Sequence, residues 1–350
     1  MHFVKIQNRK VSLQDAPFII AEMSGNHNQS LERALEIVKA AAQIGAHAIK
    51  LQTYTADTMT LDLKEAEFLI SDEKNPWRGR SLYDLYDEAH TPWDWHQPIF
   101  DCAKKLGLIC FSTPFNETAV DFLEKLGVPA YKIASFENTD IPLIQRVAAT
   151  GKPLIISTGM ATQEDLDESV DAARKAGCKD LTLLKCTSTY PATPENSNLL
   201  TIPYLRDRYG CEVGLSDHTL GIGVAVASIA LGATVIEKHF TLKRADGGVD
   251  SAFSMEPAEM KELVEETERA WQSLGKVFVG PTEAEKSSIT FRRSLYIVKD
   301  LKAGDVLTKE NVRAIRPGLG LPPKHINNVL GKIVKQDVPR GTALSWNIIE

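Results

Sequence analysis

CEVGLSDHTLGIGVAVASIALGATVIEKHFT (211–241) reads as one strand–helix–strand unit. Its ends, CEVGLSD (211–217) and TVIEKHFT (234–241), are short apolar, β-branched runs that finish in polar residues. GIGVAVASIALGA (221–233) between them has a helical pattern. Toward the N-terminus the same rhythm recurs. FIIAEM (18–23), AIKLQTY (48–54), LICFSTP (108–114), YKIASF (131–136), PLIISTG (153–159) and LTLLKCTSTY (181–190) are six further runs of this kind. Helical stretches separate them, most ending at Gly as a helix C-cap does. LERALEIVKAAAQIG (31–45), for example, places Leu31, Leu35, Val38 and Ala42 on one face. Eight strand-then-helix units in one block predict an α/β fold, a (β/α)8 TIM barrel. The competing arrangement is an open doubly wound sheet. That sheet usually carries a glycine-rich phosphate loop after its first strand, and AEMSGNHN (21–28) holds no such loop.

Two features depart from the repeat. Residues 55–91 form a long insertion after the second strand, with Trp77, Tyr83, Tyr86 and His90. A loop there opens on the C-terminal face of a barrel, as a lid, a substrate wall or a packing excursion. Beyond the helical PAEMKELVEETERAWQSLG (257–275) the pattern changes. Residues 276–293 read as a linker, and short strand-like pieces with the turns KAGD and PRGT follow. The expected organisation is a barrel domain at 1–275, a linker at 276–293 and a small, mostly β domain at 294–350.

Composition narrows the function. The chain has 350 residues, 43% hydrophobic and 25% charged, with a formal net charge of −6. No basic stripe suits nucleic acid. Cys102, Cys110, Cys178, Cys186 and Cys211 are odd in number and form no CxxC pair, against a disulfide framework or a cysteine zinc site. No run of 18 apolar residues spans a membrane, and no signal peptide is legible. The expectation is a cytoplasmic protein without nucleic-acid or membrane partners.

Polar residues gather where the strands end: Glu22, Lys50 and Gln52, Ser112 and Thr113, Lys132 and Ser135, Ser157 and Thr158, Lys185 through Tyr190 (Ser188 among them), Ser216 with His218, and Glu237 with His239. A barrel brings all of these to one face. His218 and His239 end adjacent strands. With waters and substrate oxygens they hold a divalent cation, Glu237 a further ligand or their support; the other arrangement is a pair of structural histidines. Lys50 and Lys132 stand in apolar runs, where an unpaired ammonium is expensive. With Thr113, Ser135, Ser157 and Ser216 they make a cradle for phosphate and carboxylate, or they pair with strand-end acids. Glu22 is placed to handle protons. A Schiff-base aldolase using Lys132 or Lys185 is a second enzyme class for the same residues. A non-catalytic sugar-binding protein is a third reading, opposed by polar residues at every strand end.

The segments IIAEMSGNHNQSLERAL, IKLQTYTADTMT, CFSTPFNETAVDFLE, YKIASFEN, IISTGMAT, LLKCTSTYPA, VGLSDHTLG and IEKHFTL resemble the sialic acid synthase family. KDLKAGDVLTKENVRAIRPGLGL and RGTALSW resemble its antifreeze-like (SAF) domain. The resemblance covers essentially the whole chain. It implies condensation of phosphoenolpyruvate with an acylated amino-sugar aldehyde by a homodimer with swapped C-terminal domains. It further implies Mn²⁺ or Mg²⁺ on His218 and His239, and Glu22 as the catalytic carboxylate. Lys50, Lys132, Thr113, Ser135, Ser157, Ser188 and Ser216 hold phosphoenolpyruvate in that scheme. Gln52, Tyr190, Glu237 and Asp250 contact sugar or metal waters, and Arg316 reaches an acyl group in a second subunit. Ser188 departs from the Asn commoner in the N-acetylneuraminate branch, and KIAS replaces its KIGS. LYDLYDEAHTPWDWH (82–96), QTYT, KIASFE and CTSTYP are similar instead to the branch handling 2,4-diacetamido-2,4,6-trideoxy sugars.

Overall fold

A computed structural model describes residues 3–73 and 75–350 of the chain. Two compact units divide it, Met1–Gly275 and Lys276–Glu350. The first begins with an antiparallel hairpin, β1 (Val4–Ile6) and β2 (Arg9–Val11), with Val4 opposite Val11. Eight strands follow: β3 (Phe18–Glu22), β4 (Ala48–Thr53), β5 (Ile109–Pro114), β6 (Tyr131–Ile133), β7 (Leu154–Ser157), β8 (Leu181–Cys186), β9 (Glu212–Ser216) and β10 (Val235–His239). Each pairs in parallel with the next and β10 returns to β3, closing the barrel. Helices at Leu31–Gln43, Trp93–Lys105, Glu117–Leu126, Ile141–Ala148, Gln163–Lys175, Thr201–Tyr209, Gly223–Ala230 and Pro257–Leu274 come after successive strands.

The period-two alternation of a strand sorts the core into two layers. Ile19 and Ala21, Ile49 and Leu51, and Val213 and Leu215 pack with residues of the helices. Phe18 and Ile20, Ala48, Ile109 and Phe111, Ile155, Leu184 and Val235 form a separate cluster inside the barrel. Val4, Ile6 and Val11 of the hairpin join that inner cluster, so the hairpin closes the end where the strands begin. Fully burying such side chains contributes roughly 1.5–3 kcal/mol each. Sequence reading started the fold at Phe18 and missed the hairpin, although Val4, Ile6 and Val11 around the polar pair Gln7–Asn8 carried its signal.

Local chemistry sets the helix ends. Ser30 Oγ accepts the Arg33 N–H at 3.2 Å, and Asn116 Oδ1 accepts that of Ala119 at 3.0 Å. Gly127 ends its helix with φ 71°, a conformation costly for any residue with a Cβ. The buried face of the helix Leu31–Gln43 is Ala34, Ile37, Val38 and Ala41. The expected stripe of Leu31, Leu35, Val38 and Ala42 is rotated from it: small alanines let the helix approach the sheet, and Leu31 and Leu35 pack on its flank.

The insertion 55–91 folds into short helices, Ala56–Met59 and Leu82–Ala89, with an antiparallel bridge between Leu69 and Ser81. Among the described residues no helix is long and apolar enough to cross a membrane. In the C-terminal unit, exposed 3-10 turns at Glu283–Phe291 precede β11 (Ser294–Ile297), which pairs antiparallel with β12 (Val312–Ile315). Leu295, Ile297, Leu307, Val312, Val329, Val334 and Leu344 form its own core.

Candidate active site

Inside the barrel the inward positions change from apolar to polar toward the strand C-termini. On β3 the order is Phe18, Ile20, Glu22; on β4 it is Ala48, Lys50, Gln52; on β10 it is Val235, Glu237, His239. The register sets Glu22 beside Lys50, Gln52 beside Thr113, Ser216 beside Glu237 and His239 beside Glu22. With Lys132 of β6 and Ser157 of β7, these strand ends supply one polar layer.

Two ammoniums and two carboxylates dominate that layer. Lys50 Nζ lies 2.6 Å from Glu22 Oε2 and 3.8 Å from Glu237 Oε2, and donates to Thr113 Oγ1 at 3.1 Å. Gln52 Nε2 donates to Glu22 Oε1 at 3.1 Å, and Ser216 Oγ to Glu237 Oε1 at 3.2 Å. Lys132 Nζ donates to Ser157 Oγ at 2.7 Å and to the Ile133 carbonyl at 2.9 Å. All four charged groups are buried. Burial pushes the Glu22 carboxyl up, opposed by Lys50 and reinforced by Glu237. Burial works against an ionised Glu237 too, but Lys50 and Lys132 hold it below the usual range. Burial lowers Lys132. Lys50, which burial would also lower, is held above its ordinary value by Glu22 and Glu237.

The two histidines adjoin this layer. His239 is the last residue of β10, and His218 stands two residues beyond β9, with ring centroids 5.3 Å apart. His218 Nδ1 donates to the Thr187 carbonyl at 2.9 Å, which leaves Nε2 as the nitrogen with a free lone pair. His239 Nδ1 is buried without a hydrogen-bond partner, and burial, with His218 next, lowers its pKa well below the ordinary value. Burial works against a charged His218 too, but Cys186 and the Thr187 carbonyl hold its pKa above the ordinary value, so a divalent cation taken up by the uncommitted nitrogens of the pair would displace a proton from His218. Among the described residues no group of three or more His, Cys, Asp or Glu is arranged to hold one, so this pair would leave the remaining positions to water and substrate. Glu237 is turned to Ser216 and Lys50.

A cavity of about 330 Å³ opens beside the layer. Ser24, Gln52, Ser135, Glu137, Tyr190, His239 and Asp250 line its polar part, and the insertion contributes Met59, Ile70, Trp77, Leu82, Leu85 and Tyr86. Trp77 is fixed by its Nε1–H to the Val249 carbonyl at 2.8 Å and stacks at a tilt on Tyr190, 5.9 Å away. Tyr83 is not a lining residue; its hydroxyl donates to Asp57 Oδ1 at 3.3 Å. Asp250 Oδ2 accepts from Ser24 Oγ and, at 3.4 Å, from the Gly25 N–H, and burial raises its pKa. Ser188 Oγ donates to Ser135 Oγ at 2.8 Å, with Gly159 so close that a Cβ there would lie 2.4 Å from Ser135 Cβ.

One further candidate leaves the layer and one belongs to the other unit. Lys185 alternates away from the inward Leu184 and donates to the Cys186 carbonyl and Thr187 Oγ1, which removes it from the polar layer. Arg316 is exposed just past β12 in the C-terminal unit. Sequence reading overlooked Glu137, whose Oε2 is buried without a partner and whose pKa burial pushes up to about 7. It placed Cys186 in the strand-end group without giving it a role; its Sγ lies 4.0 Å from His218 Nδ1. Both lie inside segments quoted for other residues, YKIASFEN and LLKCTSTYPA.

Comparison with known proteins agrees with this architecture. The NeuB family model matches residues 37–278, and the SAF domain model matches residues 292–350. A protein named pseudaminic acid synthase from Campylobacter jejuni subsp. jejuni serotype O:2 is 44% identical over 327 residues, covering 93% of this chain and 95% of its own length. One of the same name from Helicobacter pylori is 43% identical, covering 95% and 98%. The crystal structure of an N-acetylneuraminic acid (sialic acid) synthetase from Leptospira borgpetersenii serovar Hardjo-bovis, in complex with citrate, superposes with a TM-score of 0.73 at 31% identity, covering 82% of this chain and 95% of that one. The chain belongs to the NeuB family and ends in a SAF domain.

Proposed function

We propose that this chain acts as a pseudaminic acid synthase, condensing phosphoenolpyruvate with 2,4-diacetamido-2,4,6-trideoxy-L-altrose to give pseudaminic acid and phosphate. The observation that carries the reading is the polar layer of Glu22, Lys50, Lys132 and Glu237 next to the paired histidines. The near-full-length relatives named pseudaminic acid synthase support the choice of sugar. So does the insertion, because Ile70, Leu82 and Leu85 give an apolar wall suited to deoxy carbons and acyl methyls.

The layer's two ammoniums and two carboxylates are balanced, and each lysine already has partners of its own chain. A multiply charged anion must displace Glu22 and Ser157 from those ammoniums, and added positive charge favours its entry. A divalent cation, Mn²⁺ or Mg²⁺, held by His218 and His239 would supply that charge and polarise the sugar aldehyde. Lys50, Lys132, Thr113, Ser135, Ser157, Ser188 and Ser216 would bind phosphate and carboxylate and align C3 of phosphoenolpyruvate with the aldehyde carbon. Such alignment contributes up to roughly 7–11 kcal/mol in favourable cases. As positive charge develops at C2, Glu22 would direct water there and take its proton; the C2–O bond to phosphate then breaks. Gln52 orients Glu22 through its amide, and Tyr190, Glu237 and Asp250 would contact sugar or metal waters.

Arg316 would reach the acyl group from a second copy in a domain-swapped homodimer. The exposed apolar strip Val277, Phe278 and Val279 supports such a partner, since a second copy would cover it. Phosphate release from phosphoenolpyruvate with Mn²⁺ and three sugars tests the reading. Release with the altrose sugar, and not with its mannose isomer or N-acetylmannosamine, is expected. Release only with another sugar overturns the substrate assignment; no release with any overturns the activity.

A further inference from the structure

His239 is fixed by the ladder of β10 with β3, but His218 lies beyond the last residue of β9. Its position relative to His239 therefore depends on contacts outside the regular sheet. Two of these lead toward β8 and the loop after it: His218 Nδ1 to the Thr187 carbonyl, and the Ala192 N–H to the His218 carbonyl at 3.0 Å. Two ties run to β10: the backbone bond of the Asp217 N–H to the Glu237 carbonyl at 2.9 Å, and the side-chain grip of Lys238. Its side chain alternates away from Glu237 and His239, and its Nζ donates to Asp217 Oδ2 and to the Thr219 carbonyl, each at 2.7 Å. Asp217 Oδ1 in turn accepts the Thr219 N–H at 2.9 Å and its hydroxyl at 2.8 Å. One ammonium thus grips the residues on either side of His218 while sitting in the chain directly before His239.

The Lys238 and Asp217 side chains are only 1% and 2% exposed. A buried ion pair of this kind adds little net stability, and apolar replacements of similar volume are often neutral. What it does well is fix geometry, since every donor and acceptor has one satisfied arrangement. We propose that Lys238 and Asp217 are positioning residues that hold the imidazoles of His218 and His239 in register for one divalent cation. This rests on the reading of the two histidines as that cation's ligands.

The test is titration of the full-length protein with Mn²⁺ alone, following the free-ion EPR signal, beside the thermal midpoint. The D217L/K238M double variant removes both charges, and D217N keeps the acceptor for Thr219. The double variant is expected to melt close to wild type while its Mn²⁺ affinity falls about ten-fold or more, with a smaller loss for D217N. A folded double variant that binds Mn²⁺ within about twofold of wild type overturns the proposal. If neither variant folds, the pair serves the fold and the proposal is likewise overturned. Wild-type protein that takes up no Mn²⁺ overturns the ligand reading and this inference with it, whereas a loss confined to the variants leaves the ligand reading standing.

Discussion

Glu137 lines the cavity with one buried oxygen unpartnered, and burial lifts its carboxyl from the ordinary 4.5 to about 7. Lys132 offsets part of that burial. A carboxyl raised in the folded state binds its proton more tightly there than in the unfolded chain. Below pH 4.5 both states are protonated and burial carries no penalty. As pH rises from 4.5 to about 7 the unfolded chain ionises first, and folded stability falls. At about 1.4 kcal/mol per decade the loss reaches at most about 3.5 kcal/mol, less whatever solvent at the cavity mouth screens. Glu137→Gln keeps the shape and removes the proton. The stability of wild type relative to Gln should therefore fall by that amount across the window, roughly 5 °C in melting temperature for a unit of this size. Circular dichroism melts of both proteins from pH 4.5 to 8 measure the difference directly. Parallel curves, or wild type gaining on the variant as pH rises, refute the reasoning.

Glu22→Gln should melt like wild type and lose about 10²–10⁴ in turnover, because the amide cannot take a proton from water; near-full activity in steady-state assays removes Glu22 from the chemistry. Gly159→Ala would drive a Cβ to 2.4 Å from Ser135 Cβ and 2.9 Å from Ser188 Oγ, at a φ of 43°. Its KM for phosphoenolpyruvate should rise about ten-fold or more as that hydroxyl pair is displaced, and an unchanged KM takes the pair out of the anion site. Removing residues 276–350 should leave a barrel that still melts cooperatively, since its core is its own, but without activity. An active truncated monomer, read by sedimentation and phosphate release, ends the role given to Arg316.

The barrel was legible because a parallel strand buried on both faces is a short apolar run, and eight of them recur between amphipathic stretches. Lys50 and Lys132, charges inside apolar runs, were legible as candidates for the inner face, whereas Lys185 and Lys238 interrupt such runs and take the other face. The hairpin was missed, because three-residue strands confine its signal to a short alternation, Val4 and Ile6 facing Val11. The helix facing was misjudged because Leu35 is more apolar than Ala34, whereas close approach to the sheet selects the smaller side chain. Lys185 illustrates the limit of listing strand-end polar groups: one residue decides which face it takes, and its neighbour Cys186 took the inner one. Glu137 became visible only when its loop folded over the cavity, since nothing in its spacing distinguishes a buried carboxyl from a solvated one.

Phosphoenolpyruvate labelled with ¹⁸O on C2 tests the central claim most directly. The full-length enzyme is incubated with it, Mn²⁺ and 2,4-diacetamido-2,4,6-trideoxy-L-altrose, and both products are weighed by mass spectrometry. Water attack at C2 with cleavage of the C–O bond sends the label into phosphate and gives unlabelled pseudaminic acid. Label retained in the nine-carbon acid, or condensation of pyruvate in place of phosphoenolpyruvate, contradicts it.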